Sequence, residues 1–161
     1  MFRISQYMRE LAHAEQTGHY PEVRERKARG PVVIWNLIRR CNLTCKHCYA
    51  LSADHDYVGE LTLPEVFTVM DDLKGFGVPA LILSGGEPLL RPDIFEISAQ
   101  ARKLGFYTGL STNGTLIDRP LAQRIAQEGF DYVGISLDGL KPTHDKFRRL
   151  DGAFDRSLAA V

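Results

Sequence analysis

Cysteine is scarce in this chain: there are only three, and all of them fall between residues 41 and 48. An odd, clustered set is a poor disulfide framework, which excludes the small secreted scaffolds that depend on one. Net charge is absent too, because 20 Lys and Arg balance 20 Asp and Glu. That balance argues neither for nor against nucleic acid, and no nucleic-acid partner is expected. The one basic cluster, Arg24, Arg26, Lys27 and Arg29, is interrupted by Glu22 and Glu25 and reads as a solvated face. No run approaches the roughly 18 apolar residues that span a bilayer. The opening MFRISQYMRE has neither the apolar core nor the small-residue cleavage site of a secretory leader. No membrane partner is expected, and the cytoplasm is the expected compartment, where thiols stay reduced and free for metal.

What is present suits one globular domain. The 161 residues are 44% hydrophobic and 25% charged, enough to bury a substantial core. Ile4, Met8, Leu11 and Ala12 recur at helical spacing up to Gly18, which predicts an N-terminal amphipathic helix. From residue 31 the pattern becomes strand, then helix, repeated. Val32 to Trp35 reads as a buried strand behind Pro31, and a long loop carries the cysteines. Thr62-Leu63-Pro64-Glu65 has the form of a capping box, followed by a helix facing inward with Val66, Val69, Met70, Leu73 and Phe76. Ala80 to Leu83 is a second strand, and Pro92-Asp93 opens a helix with the face Ile94, Ile97, Ala101 and Leu104. Phe106 to Leu110 is a third strand, Asp118 to Gln127 a helix stopped by Gly129, and Tyr132 to Leu137 a fourth strand. A last pattern, Phe154, Leu158 and Val161, runs to the end of the chain without a cap.

Alternating strands and helices predict βα units around a parallel sheet, whose functional residues gather at the carboxyl ends of the strands. There lie the cysteines after the first strand, Gly85-Gly86-Glu87 after the second, Thr112-Asn113-Gly114 after the third and Ser136 to Gly139 after the fourth. Cys41-Asn42-Leu43-Thr44-Cys45-Lys46-His47-Cys48 spells C-x3-C-x2-C. Soft thiolates bind iron and zinc, and one compact loop can wrap three corners of an iron–sulfur cube, leaving the fourth iron open to a small molecule. Spacing alone also allows a structural zinc site with His47 or His55 as fourth ligand. A redox thiol pair at Cys45 and Cys48 is a third reading, and it leaves Cys41 unexplained. Gly-Gly-Glu-Pro by itself reads equally as a turn.

C-x3-C-x2-C after the first strand, with Gly-Gly-Glu after the second, resembles the radical S-adenosylmethionine (SAM) superfamily. The resemblance implies an α/β fold: a partial (β/α)6 barrel, shortened here to about four βα units (31–161), behind an N-terminal helical extension (1–30). It implies that Cys41, Cys45 and Cys48 ligate a [4Fe–4S] cluster whose fourth iron is chelated by SAM. Gly85, Gly86 and Glu87 would then hold the amino end of SAM. Thr112 would line its pocket and Ser136 would contact the ribose, the alternatives being an Asn-Gly turn and a helix cap at Asp138. Arg148, within His144-Asp145-Lys146-Phe147-Arg148, would reach the SAM carboxylate unless it is an ordinary solvated helix arginine. His47 stands where the family usually has an aromatic beside the adenine, a place imidazole can fill by stacking. Tyr49 would wall the cluster or simply pack.

The similarity is closest to the haem d1 biosynthesis radical SAM proteins. It rests on the opening Met1 to Met8, on Val33 to Arg40, and on Phe106 to Gly114. It implies action on an iron-containing tetrapyrrole, 12,18-didecarboxysirohaem, with loss of two propionate side chains, and a one-electron reductant such as flavodoxin or ferredoxin. Related branches act on other tetrapyrroles or on peptides. Strands five and six of the barrel, and a cysteine-rich region holding an auxiliary cluster, would follow Val161. The chain is therefore expected to be a fragment, an interrupted gene product or an engineered piece. As such it is either the catalytic part of an enzyme or a non-catalytic cluster- or SAM-binding remnant.

Overall fold

The structure, a computed structural model, describes residues 4–18 and 30–161. The basic cluster at 24–29 and the opening Met1 to Arg3 lie outside the described residues, as does most of the junction placed at residue 30. Helix α1 is Ile4–Thr17. Four strands follow, β1 (Val33–Asn36), β2 (Ala80–Ser84), β3 (Tyr107–Thr112) and β4 (Tyr132–Ile135). They form one parallel sheet in the order β1-β2-β3-β4. Helices α2 (Leu63–Gly75), α3 (Ile94–Lys103) and α4 (Arg119–Glu128) connect successive strands, and α5 (Lys141–Arg148) and α6 (Ala153–Ala159) close the chain. The fold is α/β, a partial barrel of the expected kind.

Register sorts the strand residues onto two faces. Leu81 and Leu83 of β2 and Leu110 of β3 are fully buried, and they pack with Val66 and Met70 of α2 and Ile94, Ile97 and Ala101 of α3. A two-residue period thus sends one row of β1, β2 and β3 toward the helices. The alternate row, Ile34, Ile82, Gly109 and Tyr132, aligns across the other face, where Ile34 and Tyr132 are exposed. Glu65 accepts the Thr62 N–H at 2.7 Å, so the reach-back half of the predicted capping box starts α2.

Three expectations need correction. Phe76, assigned to the inner face of α2, is 74% exposed because the helix ends at Gly75 and Phe76 turns outward as its cap. The final helix stops at Ala159, with the Ala160 N–H bonded to the Leu158 carbonyl, so it does not run uncapped to the end. Its buried residues are Ala153 and Ser157, whereas Leu158 is 50% and Val161 89% exposed. Small side chains let α6 approach the loop after β3 closely, and the Ser157 hydroxyl donates to the Asn113 carbonyl at 2.7 Å. Helix α5 was not legible from periodicity, because its buried residues are His144 and Arg148 rather than an apolar stripe.

Candidate functional site

The loops at the carboxyl ends of the four strands converge on a cavity of about 240 Å3. Its wall includes Cys41, Cys45 and Cys48, Gly85 and Gly86, Thr112, Ser136, Arg148 and His47. Glu87 is not part of that wall. A second cavity, of about 440 Å3, lies beside β1 and includes Trp35, Arg39 and Tyr57; the two meet at Ala50 and Gly85.

The glycines are required by the protein itself. Gly85 has φ +148°, and a Cβ there would stand 2.3 Å from the Ile38 carbonyl; one on Gly86 would stand 2.3 Å from the Arg40 carbonyl. The backbone leading into the cysteine loop crosses directly over this turn, with the Gly86 N–H donating to Ile38 at 2.6 Å and the Glu87 N–H to Arg40 at 2.9 Å. Only residues without a side chain fit beneath it. The sequence suggested close approach to a ligand; the structure shows close approach to residues 38–40.

Glu87 is fully buried. Its carboxylate accepts the Thr112 hydroxyl at 2.7 Å, the Asn113 N–H at 2.9 Å and the Leu89 N–H at 3.1 Å. Burial pushes its pKa up from the ordinary range, and those donors oppose the rise. The side chain therefore clamps the Gly-Gly-Glu turn to the loop after β3. Asn113 extends the clamp to the cysteines: its amide nitrogen donates to Asn42 at 2.9 Å and lies 3.9 Å from the Cys41 sulfur.

Each cysteine sulfur faces N–H donors. Cys41 accepts the Leu43 N–H at 3.4 Å, Cys48 the Ser52 N–H at 3.5 Å, and Cys45 has the Arg148 guanidinium at 3.8 Å. All three thiols are free. Burial pushes Cys41 up to about 11. It raises Cys45 as well, against the pull of Arg148. At Cys48 burial also acts upward, but the N–H groups of Ser52, Ala50 and Leu51 hold the thiol below its ordinary value. Alkylation follows the thiolate. In cluster-free protein at pH 8, iodoacetamide is expected to modify Cys48 first, then Cys45, and Cys41 last. Time-resolved peptide mass spectrometry checks the order, and Cys41 reacting first would contradict it.

Arg148 is buried and forks onto Asp138, with Nε to Oδ2 at 2.6 Å and Nη2 to Oδ1 at 3.0 Å. It is not the solvated arginine of the alternative reading. Asp138 is likewise not a helix cap: its carboxylate takes Arg148, and its N–H donates to His144 Nδ1 at 3.2 Å. His144 is fully buried, and accepting at Nδ1 makes it the Nε2–H tautomer, a donor with no partner among the described residues. Burial, with Arg148 nearby, keeps its pKa low and the ring neutral. His47 is exposed; its ring is tilted against Phe147 with centroids 5.6 Å apart, and its Nε2 lies 3.7 Å from Asp138. Tyr49, 79% exposed, exchanges hydrogen bonds with Asn36.

Sequence reasoning missed Asn113, Asp138 and His144 as working residues, and also Arg91. Arg91 is buried between the Leu37 and Leu61 carbonyls, each at 2.8 Å, and pairs with Asp93. A buried polar face leaves no periodic signal; only the density of Asp, His and Arg between 138 and 148 hinted at it.

Residues 35–161 match the profile of the Radical SAM superfamily. The chain belongs to that superfamily. It is 52% identical to the pre-heme d1 synthase of Dinoroseobacter shibae, over 100% of this chain and 39% of that protein. It is 50% identical to the Fe-coproporphyrin III synthase of Methanosarcina barkeri, over 84% of this chain and 34% of that protein. Among solved structures, native anSMEcpe with bound AdoMet superposes with a TM-score of 0.62 at 28% identity, over 79% of this chain and 38% of that one. SuiB of Streptococcus suis gives a TM-score of 0.68 at 17% identity, over 97% of this chain and 34% of that one, and shows the shared fold. The chain thus spans about two-fifths or less of the length of these radical SAM relatives.

Radical SAM enzymes use a [4Fe–4S] cluster and SAM, and the donor set here fits them. Three free thiols from one loop line one cavity at the strand ends. The zinc alternative fits less well. Among the described residues no three of His, Cys, Asp and Glu are gathered tightly enough to grip a single ion. His55 instead bonds the Asp56 carbonyl and packs on Tyr57. Among the described residues no helix is long and apolar enough to cross a membrane.

Proposed function

We propose that this chain is the SAM-cleaving part of a radical SAM enzyme acting on an iron-containing tetrapyrrole, with residues 31–161 as the core and 1–30 as an extension. The substrate in this reading is 12,18-didecarboxysirohaem, and the reaction removes two of its propionate side chains. When bound, the [4Fe–4S] cluster passes one electron from a flavodoxin- or ferredoxin-type donor to SAM, giving methionine and a 5′-deoxyadenosyl radical that takes a hydrogen atom from the substrate. Cys41, Cys45 and Cys48 hold three irons. The Gly85-Gly86 backbone meets the amino end of SAM, with Glu87 behind it as the negative charge for the ammonium. Thr112 and Ser136 line the pocket, His47 covers the adenine, and Arg148 meets the carboxylate.

The observation that supports the chemistry is the convergence of the three cysteines with four strand-end loops on one cavity. The tetrapyrrole assignment rests on the 52% identity to pre-heme d1 synthase along the whole chain. A relative named for a peptide, the PqqA peptide cyclase of Ruegeria pomeroyi, stands at 33%. The test is anaerobic reconstitution, one-electron reduction and measurement of 5′-deoxyadenosine. Turnover of didecarboxysirohaem is then compared for this chain and for a polypeptide of its relatives' length. SAM cleavage by the short chain with product only from the long one is the expected result. A loaded cluster without SAM cleavage in either form leaves a cluster-binding protein and ends the enzymatic reading.

A further inference from the structure

Among the described contacts, only one cluster cysteine faces a charged donor. Leu43 and Asn113 serve Cys41, and Ser52 serves Cys48, all through neutral N–H groups. Cys45 has Arg148 Nη1 at 3.8 Å. Three links fix that approach. Nε and Nη2 of Arg148 are both taken by Asp138, so the guanidinium plane cannot swing. Asp138 is held in turn by His144, whose Nδ1 accepts its N–H. On the other side, the N–H of Lys46, next to Cys45, donates to the carbonyl of Phe147, next to Arg148, at 2.8 Å. The end of α5 and the cysteine loop are thus bonded at adjacent residues.

We infer that Arg148, locked by Asp138, is a tuning residue that donates a hydrogen bond to the Cys45 sulfur and makes the cluster easier to reduce. This rests on the radical SAM reading of the cysteines. Hydrogen bonds to the sulfurs are one of the protein's means of setting a cluster's potential, because they withdraw charge from the thiolate and favour the reduced state. A guanidinium donor is stronger than an amide. Asp138 cancels most of its long-range charge, so the effect is concentrated on the one sulfur that Nη1 faces. This role is separate from any contact with SAM, since it acts before SAM arrives.

The test is an EPR-monitored redox titration of the reconstituted protein without SAM, for wild type, Arg148→Gln and Arg148→Lys, with iron and sulfide counted in each. Arg148→Gln is expected to make one-electron reduction about tenfold less favourable, a fall of about 59 mV in potential. Arg148→Lys, which keeps the charge and loses the fork, should fall between. Full loading with an unchanged potential in both variants overturns the inference. So does failure of both to load while wild type loads, because Arg148 is then a structural requirement only. Failure of wild type itself to assemble a cluster would instead remove the radical SAM reading.

Discussion

Anaerobic reconstitution is expected to give about four irons and four sulfides per chain, and replacing Cys41, Cys45 or Cys48 by Ala should abolish the cluster. The reason lies in what surrounds each sulfur. Beside Cys41 are the Leu43 N–H and the Asn113 amide; beside Cys45 is a guanidinium; beside Cys48 is the Ser52 N–H. Each is a donor aimed at a thiolate, and a donor cannot become a ligand when the thiolate goes. A cube held at three corners then loses a third of its protein bonds, and the chain has no fourth cysteine to replace it. His47, which shares the cavity wall, is turned toward Phe147 and Asp138. Iron and sulfide analysis with the visible charge-transfer band reads the result. One tightly held zinc and no sulfide in freshly purified protein would sink the assignment.

The sequence made the frame of the site readable and left its wiring dark. Strands and helices from β1 to α4 followed from short apolar runs, apolar helix faces and the Gly and Pro residues that bound them. The motif positions followed from topology, since parallel βα units bring strand ends together. The polar layer beneath the cavity was different. Glu87, Asn113, Asp138, His144 and Arg148 stabilise it through hydrogen bonds between residues from 6 to 103 positions apart. No local pattern encodes such partners. Helix α5 went unread for the same reason: a helix that buries His144 and Arg148 looks in sequence like a solvated one. The glycines of the Gly-Gly-Glu turn were read as clearing space for a ligand, and the structure gives them a further reason. Their missing side chains make room for the backbone of residues 38–40.

Glu87 offers the second large effect, and it divides into affinity and stability. Glu87→Ala leaves the Thr112 hydroxyl and the Asn113 and Leu89 N–H groups without acceptors in a buried place. At about 1–3 kcal/mol for each stranded group, the loss should reach about 3 kcal/mol or more. The same change removes the negative charge proposed for the SAM ammonium, and SAM titration of the loaded protein should weaken roughly ten- to a hundredfold. An unchanged titration would take Glu87 out of the site. Its pKa gives an independent signature. Burial raises the folded-state value above the ordinary one of about 4.3. Between those two values the folded chain keeps a proton that the unfolded chain releases, so stability falls as pH rises through that window. Glu87→Gln cannot ionise and loses this slope, while its amide sets a donor against donors and lowers stability throughout. Urea midpoints of cluster-free protein from pH 4 to 8 should therefore converge for wild type and Glu87→Gln as pH rises. Curves that run parallel would mean that Glu87 folds with no shift, and that its three donors fully offset the cost of burying its charge.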